Sequence, residues 1–82
     1  MIEDIKISGK AMKDLKSIPK NQAGTILDRI ETLKPDLKGD VKRLTNFTPE
    51  YRLRVGDFRI LFEIENNVII IYRIKHRKDS YR

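Results

Sequence analysis

The chain has 82 residues, which is room for one domain with a small core, and we interpret residues 1–82 as a single domain. It holds no cysteine and one histidine, which excludes disulfides, thiolate nucleophiles and metal sites built on cysteine or on several histidines. The formal net charge of +6 favours a polyanionic partner such as nucleic acid, and no apolar run approaches the roughly 18 residues of a membrane span, so we expect a cytoplasmic protein.

The first half of the chain predicts a strand followed by two helices. Isoleucines alternate with polar residues over residues 2–7, which indicates a short strand, and Ser8 then suits a helix N-cap. A first helix is expected from about residue 9 to residue 17. Pro19 suits the first turn of a second helix, which Pro35 should end. The two helices would form a hairpin that buries one apolar face.

The second half predicts an antiparallel meander, because apolar alternation is interrupted twice by pairs of turn residues. The expected strands are 51–55, 58–65 and 68–75, separated by the turns Gly56-Asp57 and Asn66-Asn67. Residues 41–46 suit either a short strand or a turn. The expected fold is therefore α+β with the order β-α-α-β-β-β, a helical hairpin packed on an antiparallel sheet.

Two-residue turns would assign each strand residue to one face of the sheet. The apolar face should pack on the helices and collects Leu53, Val55, Phe58, Ile60, Phe62, Ile64, Ile69 and Ile71. The other face collects Arg52, Arg54, Arg59, Leu61, Tyr72, Ile74 and His76. Arg54 would lie directly opposite Arg59, and such a pair of like charges costs from a few tenths to about 1 kcal/mol.

The basic residues are concentrated where this face lies. Residues 42–82 hold ten Lys or Arg against five Asp or Glu, whereas residues 1–41 hold eight against seven. The simplest explanation of such charges is that they keep an exposed face solvated. A face that only needs solvation would more naturally carry both positive and negative side chains. The pattern therefore favours anion binding, for which the guanidinium fork suits phosphate.

A helical hairpin ahead of YRLRVGDFRILFEI, followed by an apolar strand that HRKDSYR closes, resembles the RelE/ParE superfamily of bacterial and archaeal toxins over nearly the whole chain. The tail is similar to that of the RelE branch. This resemblance implies a type II toxin that cleaves mRNA in the ribosomal A site, with the ribosome, mRNA and a cognate antitoxin as partners in a hetero-oligomeric system and no cofactor. The alternative is a non-catalytic inhibitor of DNA gyrase, as in the ParE branch.

The resemblance also implies the site residues of a metal-independent endoribonuclease. The catalytic residues would be Arg54, Arg59, His76, Arg77 and Tyr81. The RNA-binding residues would be Arg52, Arg54, Tyr72, Lys75, Lys78 and Arg82. In the implied reaction the 2′-hydroxyl attacks the adjacent phosphate, leaving a 2′,3′-cyclic phosphate and a 5′-hydroxyl.

The implied roles divide between cations and a base. Arg54 and Arg59 would hold the scissile phosphate, and Arg77 would stabilise the phosphorane or protonate the leaving group. The base would be Tyr81 or His76, and the sequence leaves that choice open. Tyrosine has an ordinary pKa of about 10, so Tyr81 would need neighbouring cations to lower its pKa. The alternative roles are a terminal aromatic covering the sheet edge for Tyr81 and a polar strand end for His76.

Overall fold

A computed structural model describes residues 2–33, 40–44 and 49–78. In these ranges the elements, in chain order, are β1 (Asp4–Ile7), α1 (Gly9–Lys16), α2 (Lys20–Glu31), β2 (Asp40–Arg43), β3 (Tyr51–Val55), β4 (Phe58–Glu65) and β5 (Val68–His76). The strands form one sheet in the order β1-β5-β4-β3-β2. The α+β class is confirmed. None of the helices in the described ranges is long and apolar enough to cross a membrane.

The sheet is mixed, which corrects the expectation of an antiparallel sheet. β1 runs parallel to β5, and its register extends from Asp4 opposite Val68 to Ile7 opposite Ile71. The pairing is parallel because the helices carry the chain to the far edge of the sheet, from which the β2 to β5 meander returns beside β1. Residues 40–43 form the additional edge strand β2, which settles the choice between strand and turn.

The N-cap prediction for Ser8 is confirmed, whereas Pro19 is the N-cap of its helix and precedes the first turn in which it was expected. The Ser8 hydroxyl oxygen accepts a hydrogen bond from the Ala11 amide at 3.1 Å, so Ser8 is the N-cap of α1. α1 ends at Lys16, one residue earlier than predicted, and α2 begins directly after Pro19. The predicted helix stop at Pro35 lies outside the described residues.

The core lies between the helical hairpin and one face of the sheet. Its buried members are Ala11, Leu15, Ile26, Ile30, Leu33, Leu53, Ile60, Phe62, Ile69, Ile71 and Ile74. The predicted apolar face accounts for all of the buried strand residues except Ile74. At its centre Phe62 is completely buried and stacks on Tyr51, with ring centroids 5.4 Å apart and planes inclined by 16°.

The two hairpins differ in register. The first pairs Arg54 with Arg59, as predicted. The second begins as predicted, from Glu65 opposite Val68 to Phe62 opposite Ile71, but then shifts by one residue, so that Leu61 lies opposite Arg73. The shift is a β-bulge in which Tyr72 is the extra residue of β5. The turns of both hairpins contain residues with a left-handed backbone conformation, namely Gly56 in the first turn and Asn66 and Asn67 in the second.

The bulge corrects two assignments to sheet faces. Ile74 lies opposite Ile60 and is only 3% exposed, so it faces the helices and not the arginines. His76 lies opposite Phe58 on that same side. The physical reason is burial. The extra residue places Ile74 on the helix side and Lys75 on the opposite side, whereas a regular strand would expose Ile74 and turn Lys75 toward the helices.

Candidate functional site

Six cationic positions of the strands lie on the sheet face that is turned away from the helices. We call this surface the basic face; its central positions are Arg52, Arg54, Arg59 and Lys75. Arg54 lies opposite Arg59, and Arg59 lies opposite Lys75, so these three form a row across β3, β4 and β5. Side chains directly opposite each other on one face have Cβ atoms about 5 Å apart.

A second row on the basic face is less uniform. Lys42 lies opposite Arg52, which lies opposite Leu61, which in turn lies opposite Arg73. Leu61 is half-buried, so an apolar side chain stands between cationic positions. Tyr72, the bulge residue, is half-buried beside Arg73. Its predicted role as a surface for a nucleobase stays a prediction.

Arg73 is held by an acid that the sequence did not single out. The Arg73 guanidinium donates from Nε to Asp14 Oδ2 at 2.9 Å and from Nη2 to Asp14 Oδ1 at 3.1 Å. Asp14 Oδ2 also accepts the backbone N–H of Ile74 at 2.9 Å. The only available signal was that Asp14 is the one acid within the sequence of α1, GKAMKDLK.

These contacts set the protonation of Asp14. Burial by itself would raise the pKa of Asp14, but the hydrogen bonds from Arg73 and Ile74 N–H, with the charges of Arg73 and Lys75, lower it below the ordinary value of 3.8. A carboxyl with a lowered folded-state pKa stabilises the fold above its unfolded-state pKa. That contribution is lost as the pH falls through the folded-state pKa.

We therefore expect Asp14→Asn to destabilise the protein at pH 7 and to matter progressively less as the pH falls below about 4. The measurement is the free energy of unfolding in urea at pH 7 and at pH 3 for both proteins. Asp28→Asn, a change at an exposed acid of α2, is the control. A difference between wild type and Asp14→Asn that is the same at both pH values would contradict the expectation.

His76 is not brought together with the arginines. Its ring meets Phe58 edge-on, with centroids 5.4 Å apart and planes inclined by 83°, on the helix side of the sheet. Its Nδ1 accepts the backbone N–H of Lys78 at 3.2 Å. The ring also lines a cavity of about 570 Å³ with Ser17 and Gln22 at the turn between the helices. His76 is thus adjacent in sequence to the basic face but lies on the opposite side.

The remaining predicted site residues lie at or beyond the end of β5. Arg77 is exposed; its backbone N–H donates to the Asp57 carbonyl at 2.7 Å, and its guanidinium lies 3.8 Å from the Asp57 carboxylate. Lys78 is exposed. Tyr81 and Arg82 lie outside the described residues. Within the described ranges no group of three His, Asp or Glu is placed to hold a metal ion.

The sequence model of the ParE toxin of the type II toxin-antitoxin system parDE matches residues 5–81. The chain belongs to the RelE/ParE toxin superfamily. This toxin is 34% identical to the putative toxin RelE1 of Methanocaldococcus jannaschii, with 96% of this chain and 94% of the relative covered. It is 35% identical to toxin RelE3 of the same organism, with 85% of each chain covered.

Solved structures agree with these relatives. A chain in the RelB-RelE antitoxin-toxin complex from Methanococcus jannaschii is 32% identical to this toxin and superimposes with a TM-score of 0.78, covering 93% of this chain and 94% of the other. A chain in the archaeal RelE-RelB complex from Pyrococcus horikoshii OT3 is 30% identical, with a TM-score of 0.75 and coverage of 94% and 97%. The toxin is therefore RelE-like.

Proposed function

We propose that this toxin is a ribosome-dependent endoribonuclease that cleaves mRNA in the ribosomal A site and so inhibits translation. The observation that carries the proposal is the row of Arg54, Arg59 and Lys75 on one sheet face, where Arg54 is exposed and the other two are half-buried. Positive groups placed side by side repel each other in the absence of an anion. They become favourable where negative charge gathers on the phosphorane of a transition state.

The cations of the basic face have different roles in this proposal. Arg54 and Arg59 contact the non-bridging oxygens of the scissile phosphate, since each guanidinium can donate two parallel hydrogen bonds. Arg52 and Lys75 hold neighbouring phosphates, as Lys78 and Arg82 do beyond the strand. Tyr72 provides a stacking surface for a base. Arg77, at the end of β5, stabilises the phosphorane or donates the proton to the leaving 5′ oxygen.

We assign the general base to Tyr81. His76 is the other candidate, but its Nδ1 already accepts the Lys78 amide hydrogen, so the neutral ring carries its proton on Nε2. In that tautomer Nε2 donates and does not accept. Tyr81 follows Arg77 by four residues in a basic tail, and in this proposal the cations near it in sequence would stabilise its phenolate form.

The ribosome supplies what so small a domain lacks. A flexible mRNA must be held with the 2′-hydroxyl in line with the phosphate, and such alignment is a large part of the barrier to cleavage. An A-site codon is already held in place by the ribosome. The toxin then contributes the cations and the base, and the ribosome contributes the alignment.

The partner that holds the toxin inactive is a cognate antitoxin in a hetero-oligomer. The similar archaeal chains were solved in complexes named RelB-RelE and RelE-RelB. An antitoxin with acidic side chains would neutralise the basic face, and an amphipathic helix would cover apolar helix residues such as Met12 and Leu27, which are 43% and 40% exposed.

A second candidate function is inhibition of DNA gyrase without chemistry. The observation that favours it is the matching family model, which describes the ParE toxin of parDE. The basic face would then be a binding surface for an acidic protein region or for DNA. The two candidates make different predictions for mRNA.

We expect the purified toxin to produce new mRNA 5′ ends at A-site codons in a cell-free translation reaction, and none on the same mRNA without ribosomes. Primer extension maps the ends, and the fragments should carry a 2′,3′-cyclic phosphate because the reaction uses the 2′-hydroxyl. A parallel reaction measures supercoiling by purified gyrase. Intact mRNA together with inhibited supercoiling would replace the nuclease by the gyrase inhibitor.

A further inference from the structure

The outer edge of β5 changes its neighbour half-way along the strand. β1 ends at Ile7, opposite Ile71, so no strand pairs with the outer edge of residues 72–76 in the described part of the chain. α1 and the residue before it lie there instead. An unpaired strand edge leaves backbone groups without partners unless side chains supply them.

Ser8 and Asp14 supply those partners. The Ser8 amide donates to the Ile71 carbonyl at 2.9 Å, and the Ser8 hydroxyl donates to the Tyr72 carbonyl at 2.9 Å. Asp14 then accepts the Ile74 amide hydrogen at 2.9 Å. The three bonds fall on Ile71 just before the β-bulge, on Tyr72 in it and on Ile74 two residues after it. They therefore bracket the register shift between β4 and β5.

The bulge decides which side chain stands beside Arg59. With Tyr72 as the extra residue, Lys75 lies opposite Arg59 and Ile74 is buried. If β5 continued from the Phe62–Ile71 pair without a bulge, Arg59 would lie opposite Ile74, and Lys75 would point toward the helices. The cationic row Arg54-Arg59-Lys75 exists only in the bulged register.

We propose that Ser8 and Asp14 are positioning residues, which fix the bulge in β5 and thereby hold Lys75 beside Arg59 on the basic face. The role in catalysis rests on the proposed nuclease function, whereas the hold on the strand register does not. Asp14 has a second effect, because its ion pair with Arg73 draws that guanidinium toward α1. The row that faces RNA is thus formed by Lys75 and the two arginines.

The test compares Asp14→Ala, Asp14→Asn and Ser8→Ala with Asp28→Ala, a control at an exposed acid of α2. Asparagine keeps an oxygen that can accept the Ile74 amide, whereas alanine removes the acceptor. The first readout is structural: amide hydrogen exchange at Ile74 and the nuclear Overhauser contacts between Arg59 and Lys75. The second is the rate of mRNA cleavage at saturating and at limiting ribosome concentrations, per folded toxin.

We expect Asp14→Ala to exchange the Ile74 amide at least about tenfold faster, to lose the Arg59–Lys75 contacts, and to cleave about 10- to 100-fold more slowly at saturating ribosomes, since displacements near 1 Å cost that much. Ser8→Ala should show the same pattern more weakly. Asp14→Asn should recover most of the rate, and Asp28→Ala should match wild type. If Asp14→Ala does not fold, Ser8→Ala decides by the same readouts.

Two outcomes would overturn the proposal. One is an unchanged Arg59–Lys75 register in both alanine variants. The other is a lost register with a wild-type cleavage rate. A cleavage loss seen only at limiting ribosomes, and rescued at saturation, would also overturn it, because that places Asp14 in ribosome binding. A wild-type toxin that does not cleave refutes the proposed function instead, and the register measurement then still decides whether Ser8 and Asp14 hold the bulge.

Discussion

Arg59→Ala is expected to lower the rate of ribosome-dependent mRNA cleavage by about 10²-fold or more, the usual cost of removing one preorganised donor from developing charge. Arg59 is the central member of the cationic row, with Arg54 on one side and Lys75 on the other. No neighbour can take its place, because each is held on its own strand. Cleavage is measured by primer extension at saturating ribosomes.

The fold should tolerate this change well. Arg59→Ala relieves repulsion from Arg54 and Lys75 but also removes the contacts of a half-buried side chain. Because these effects oppose each other, we expect the free energy of unfolding to change by less than about 1 kcal/mol. Arg29→Ala, at an exposed position of α2, removes the same charge on the helix side of the sheet, away from the basic face, and serves as the control. Equal cleavage rates for Arg59→Ala and Arg29→Ala would show that the basic face takes no part in the reaction.

The largest effect on stability is expected from Phe62→Ala, at about 3–5 kcal/mol. Phe62 is 0% exposed, stacks on Tyr51, and pairs with Ile71 at the last regular position before the bulge. A small domain has a total stability of about 5–15 kcal/mol, so this loss is a large share of it. Urea unfolding followed by circular dichroism measures the change.

Leu27→Ala is the matched control for Phe62→Ala. Leu27 is also a large apolar residue, but it is 40% exposed on α2, and alanine is the best helix former. We expect its free energy of unfolding to change by less than about 0.5 kcal/mol in the isolated toxin. Comparable losses in the two variants would mean that the core does not lie between the hairpin and the sheet as described.

The parts of the fold that local chemistry controls were predictable. Ser8 is the N-cap because its side chain can satisfy a free amide, and the turn at Gly56 fixes the register that places Arg54 opposite Arg59. These signals act between neighbours in sequence. The two basic strands and their shared face followed from them.

The parts that failed depend on contacts between distant residues. VIIIY offers no alternation that would mark a bulge, so the position of Ile74 and His76 was wrong. The bulge is decided by burial of Ile74 and by partners more than fifty residues away, such as Asp14. The parallel pairing of β1 with β5 was missed for the same reason, since it joins residues that are distant in sequence. The assignment of roles to Tyr81 and Arg77 stays a prediction.

The strand order makes the folding of the toxin depend on the synthesis of β5. Among the described strands β5 comes last in sequence, yet it lies between β1 and β4, and Ser8 contacts Tyr72 across 64 residues. Such a high contact order means that β1 and α1 have no sheet to join until the final strand has left the ribosomal exit tunnel. A nascent chain stopped before β5 therefore lacks Lys75 and its bulge, so the same late step that completes folding also completes the basic face.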